Sequence, residues 1–93
     1  MGRDAPCGVL CRIATALAEI FAAREGDLTL RPSDVAERAE VPRQIAAEVL
    51  KALAERGYMT CVKTARGLRC AVPRSSPLRS ASREEIYSVL ETL

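Results

Sequence analysis

Arg43, Gln44, Ala47 and Lys51 recur at the intervals of one helix face, and Lys63, Arg66 and Arg69 gather where a β-hairpin pattern turns. Arginine presents a planar fork that can bond two acceptors at once, which on a base edge fits guanine; the glutamine amide has the donor–acceptor pair that fits adenine. Ala47 is short enough for close approach and suits a thymine methyl, and Lys51 suits a phosphate. The three hairpin cations can neutralise phosphates without reading sequence. Glu48 and Glu55 lie on the same helix face and repel a phosphate backbone unless they pair with Lys51 or accept from cytosine. An ordinary amphipathic helix with mixed surface charge has the same pattern, so the setting of the helix decides between the two.

The other chemistry-bearing residues are four cysteines, Cys7, Cys11, Cys61 and Cys70. Three states stay open for them: small apolar side chains in or near a core, structural disulfides, or a metal, iron–sulfur or thiol-redox site. The spacing is not a standard zinc pattern, and the chain contains no histidine to vary it. If bridges form, Cys61 with Cys70 is the expected pair. A four-residue turn from Thr64 to Gly67 sets them directly opposite each other, whereas a three-residue turn sends their side chains to different faces. Cys7 and Cys11 need the first helical turn to unwind before they pair with each other, or they bond to another segment. With no histidine, no glycine-rich phosphate loop and no paired acids at a cleft, no catalytic site and no cofactor are expected.

Charge is segregated. Between Gly57 and Ser82 stand five basic residues (Lys63, Arg66, Arg69, Arg74, Arg79) and no acid, while the rest of the chain is close to neutral. That distribution is a footprint for a polyanion; the plainer account is a solvated hairpin whose charges protect a sheet edge. Hydrophobic residues make up 48 % of the chain but aromatics only 3 %, so the core must be aliphatic. The most apolar stretch, Ala5 to Ala23, is interrupted by Arg12 and Glu19, and no run is long enough to span a membrane. No secretory pattern follows Met1, which points to the cytoplasm. The absence of asparagine fits a heat-adapted (thermophile) proteome, although the lysine preference usual there is missing, and a GC-rich genome gives the same arginine bias; the first would favour disulfides in an intracellular protein.

These residues need positioning by elements that the sequence also signals. Leu10, Ile13, Ala14, Leu17, Ile20 and Phe21 mark a helix over 7–25, with Gly26 as its expected stop. Leu28 to Arg31 alternates as a short strand. Pro32 opens a helix over 32–40, with Ser33 and Asp34 in its first turn. Val41 and Pro42 form a turn, and Ala46, Val49, Leu50 and Leu53 define the buried face of a helix over 43–56. Gly57 stops it. Residues 58–73 read as a hairpin, with Gly67 in a left-handed position. Residues 74–81 are rich in Ser, Pro and Arg and read as a linker. Ser82 and Glu85 form a capping box that opens a short helix over 82–93, which must dock because it is marginal alone. It can cover the first helix or pair with its copy in a dimer.

The runs from Val35 to Gln44 and from Val49 to Met59 resemble the core of prokaryotic winged-helix transcriptional regulators of the MarR, ArsR and PadR type. The Leu50, Leu53, Gly57 ending before a hairpin is the most recognisable part. The resemblance covers Leu28 to about Pro73 and implies a mainly α fold with a small β-hairpin: a winged helix-turn-helix in the order α1-β1-α2-α3-β2-β3, plus a short C-terminal helix. It implies double-stranded DNA as partner and a homodimer formed through the first and last helices. It also implies a major-groove helix carrying Arg43, Gln44, Ala47 and Lys51, and a wing carrying Lys63, Arg66 and Arg69. Pro42 departs from the family, where a serine or threonine cap is frequent, and so does the acidic Glu48. No segment remains for a separate effector domain. The expectation is therefore a small DNA-binding regulator and not an enzyme. A winged-helix protein-interaction module and a thiol-based redox regulator are the alternatives.

Overall fold

The computed structural model describes residues 8–93. It is mainly helical, with four α-helices and a small three-stranded antiparallel sheet: α1 Val9–Ala22, β1 Leu28–Leu30, α2 Pro32–Ala39, α3 Arg43–Glu55, β2 Thr60–Thr64, β3 Gly67–Val72, a 3-10 turn Pro77–Ser80, and α4 Arg83–Glu91. The sheet order is β1-β3-β2, so the hairpin's return strand is central and β1 closes one edge.

The core is aliphatic. Ile13 and Leu17 from α1, Val35 from α2, Leu50 and Leu53 from α3, and Leu30 and Val72 from the sheet are fully or almost fully buried. Helices α1, α2 and α3 pack in succession, and the sheet closes the remaining side. Each large aliphatic side chain withdrawn from water contributes about 1.5–3 kcal/mol, which lets a chain of this length hold one core.

Local endings follow specific residues. Helix α3 closes in a Schellman motif: Tyr58 N donates to Leu53 O at 3.1 Å and Gly57 N to Ala54 O at 3.0 Å. Gly57 takes φ +86° to do so, and Gly67 takes φ +115° where β3 begins; both are conformations an added Cβ disfavours. Between α2 and α3 the left-handed position falls on Glu40, at φ 58°. Asp34 Oδ2 accepts from Arg31 N at 3.0 Å and caps α2, while α3 starts after Pro42 without a side-chain cap.

Two expectations need correction. Helix α1 does not run to Gly26; it ends at Ala22, with Ala23 as its cap. And residues 74–81 are no linker. Leu78 is fully buried, and the Ser76 hydroxyl, itself buried, donates to Tyr58 O at 2.7 Å. Arg79 donates to the carbonyls of Gly26 at 2.6 Å and Arg24 at 2.8 Å, with its guanidinium 5.6 Å from the Phe21 ring centre. The loop that follows α1 is thus fastened by an arginine from a distant segment, which also lies over Phe21 in the helix's last turn.

Helix α4 opens with the expected capping box, Ser82 N to Glu85 Oε1 at 2.7 Å and Glu85 N to Ser82 Oγ at 3.1 Å. It buries Ile86 and Leu90 and packs along α1 of the same chain. Arg56 Nη2 holds its far end through Thr92 O at 2.8 Å.

Candidate nucleic-acid interface

Helix α3 turns Ala46, Leu50 and Leu53 inward. Arg43, Gln44, Glu48, Lys51 and Glu55 are exposed on its other side, and Ala47 is half-buried beside them. Among the described residues no ion pair engages any of these charged groups; the pairs present are Arg38 with Glu19 at 3.2 Å and Arg83 with Glu84 at 2.8 Å. The outer face of α3 is therefore open but electrically balanced, Arg43 and Lys51 against Glu48 and Glu55.

The hairpin register is fixed by Thr64 opposite Gly67, which leaves Ala65 and Arg66 as a two-residue turn. In that register Cys61 faces Cys70, Val62 faces Arg69 and Lys63 faces Leu68. Directly opposed residues share a face of the sheet, and faces alternate along a strand. Lys63 therefore stands on the inner face with Leu68 and Cys70, whereas Arg69 stands on the outer face with Val62. The three cations that sequence spacing gathers into one cluster are divided, with Arg66 between them at the tip.

Arg66 and Arg69 belong instead to a cleft of about 680 Å³ beside the β1 edge of the sheet, together with Arg24, Arg31, Arg38 and Asp34. Ile20 and Leu68 contribute apolar wall. Sequence spacing missed this grouping, because the five arginines come from the α1–β1 loop, the start and body of α2, and the hairpin. The alternation of Thr29 and Arg31 with buried Leu28 and Leu30 was a partial signal: it placed Arg31 on the outward side of β1.

Cys61 and Cys70 form a disulfide across the hairpin, in the register that sets them opposite each other. Cys61 Sγ also lies 3.7 Å from Leu50 O; a disulfide sulfur carries no proton, so this is a packing contact that ties the hairpin to α3. Cys11 is disulfide-bonded too, while the expectation for Cys7 lies outside the described residues. No described cysteine is a free thiol, and no group of three metal-ligating side chains occurs among the described residues. No helix in the described residues is long and apolar enough to cross a membrane. The displaced pKa values lie on α4, away from these surfaces. A hydrogen bond from Arg83 lowers that of Glu84, helped by the backbone and by the guanidinium charge, and a hydrogen bond to Glu91 raises that of Tyr87.

No family model matches this sequence, and comparison with curated proteins finds no similar one.

Proposed function

We propose that the chain is a winged-helix DNA-binding domain serving as a small transcriptional regulator, with α3 as the major-groove helix and the β2–β3 hairpin as the wing. The observation that supports this best is that α3 offers an unobstructed outer face next to a hairpin whose cations have no carboxylate partner among the described residues. Arg43 and Gln44 sit in the first turn of α3, where side chains in this arrangement come nearest the base edges. Lys63, Arg66 and Arg69 supply phosphate contacts, which position the protein without selecting sequence.

Binding to duplex DNA, measured across ionic strengths, tests the assignment. Affinity should fall steeply with salt, and Arg66→Glu should weaken all duplexes alike while reducing the log–log salt slope by about 0.9 for each phosphate no longer neutralised. Gln44→Ala should instead relax preference at one base position, by about 1–3 kcal/mol. Salt-independent binding, or none, sinks the DNA assignment. The charge balance on α3 favours one competitor, a winged-helix module that docks a protein through the same face; it predicts that outcome.

A further inference from the structure

The cleft beside β1 gathers five guanidiniums around one concavity with a single carboxylate among them. That carboxylate, Asp34, whose Oδ2 accepts from the backbone of Arg31, offsets one of the five charges and leaves the lining strongly positive. Of the five arginines only Arg38 has an ion-pair partner among the described residues, Glu19, and both of those side chains remain half exposed (51 % and 53 %). Like charges held around a concave, partly apolar wall repel one another and focus a positive potential into it. The arrangement is stabilised when an anion fills it. Guanidinium forks match phosphate oxygens in pairs, which a lysine cannot do, and every cation lining this cleft is an arginine. The volume exceeds what one orthophosphate fills and lies within the range of small-molecule sites. We propose that this cleft binds a small molecule carrying a di- or triphosphate group, spanned by Arg24, Arg31 and Arg38 on one side and Arg66 and Arg69 on the other.

Such a ligand has a consequence for the function proposed above, on which this second step rests. Arg66 and Arg69 are two of the three hairpin side chains assigned to DNA phosphate. An occupant of the cleft withdraws them, so ligand and duplex compete. The hairpin itself becomes the sensor.

Inorganic tripolyphosphate serves as probe, titrated by calorimetry at an ionic strength of about 0.15 M, where long-range charge effects are screened. The oxidised wild-type protein should bind one equivalent saturably. The double variant Arg24→Ser/Arg31→Ser, which leaves the hairpin intact, should weaken binding by at least about tenfold, as expected for the loss of two charged forks. Arg74→Ser removes one charge from an exposed side chain outside the cleft lining and should change it less than about twofold. Thermal melts establish that all proteins are folded. Binding without saturation, or losses in proportion to charge wherever it is removed, overturns the site. In a second arm tripolyphosphate should displace a labelled duplex from wild type but not from the double variant. If the double variant loses duplex affinity as strongly as tripolyphosphate affinity, the cleft holds a backbone phosphate and the free-ligand assignment fails. If wild type binds no duplex, the DNA assignment fails and the calorimetric arm decides the cleft independently.

Discussion

Replacing Arg79 with alanine should destabilise the protein by roughly 2 kcal/mol, although the residue lies in a segment whose composition looks dispensable. Its guanidinium donates to two loop carbonyls, Gly26 O and Arg24 O, and lies over Phe21. Bonds from a charged donor contribute about 1.5–3 kcal/mol each when shielded from water. These carbonyls belong to exposed residues that water can re-solvate, so about 0.5–1 kcal/mol each is the better figure. The stacking on Phe21 adds about 0.5–1 kcal/mol. Arg79 Nε is buried without a partner among the described residues, which offsets part of the total. The net, about 2 kcal/mol, corresponds to a fall in Tm of about 10 °C for a domain of this size. Urea denaturation of the oxidised protein, with m unchanged, measures it directly. Arg79→Lys keeps the charge but loses the fork and should recover less than half. Arg74→Ala is the control, because among the described residues only the backbone of Arg74 is engaged, its N–H donating to Asp27 Oδ1 at 2.7 Å. An Arg79→Ala variant within about 0.5 kcal/mol of wild type would falsify the claim that this arginine fastens the loop after α1.

Three further outcomes are expected. Glu40→Gly relieves a left-handed backbone that costs a non-glycine residue about 1–2 kcal/mol and gives back about 0.5–1 kcal/mol in chain entropy; the midpoint of urea unfolding should rise slightly, and a decrease contradicts the turn geometry. Cys61→Ala/Cys70→Ala opens a loop nine residues in separation and should cost about 2–3 kcal/mol on the chain-entropy estimate; hydrogen exchange should locate the loss in β2 and β3, and unchanged protection there counts against the bridge. Ser82→Ala removes half of the α4 capping box and should cost about 1 kcal/mol, read as early fraying of α4 in a thermal melt followed by helical circular dichroism.

The resemblance to winged-helix regulators supplied an expected layout with which the observed element order and three-stranded sheet are compatible. What the chain fixed locally was helix and strand placement. Apolar residues at helical spacing marked the helices, period-two alternation marked the strands, and Gly57, Gly67 and the Ser82–Glu85 pair marked their ends, because each of these signals acts within one turn or one hairpin. The Cys61–Cys70 pairing was legible only in part: the sequence left a three- or four-residue turn open, and the observed register decided it. Three things were decided only by the tertiary structure. Strand parity separates Lys63 from Arg69, although they look like one cluster in sequence. Arginines from three distant segments converge on one cleft. And the stretch from Pro73 to Ala81, which composition marks as a linker, becomes a fastening through a 3-10 turn and the buried Leu78. Hydrogen bonds such as those of Arg79 join residues more than fifty positions apart, and no local pattern encodes which carbonyls a long, flexible cation will find once the chain has folded around it.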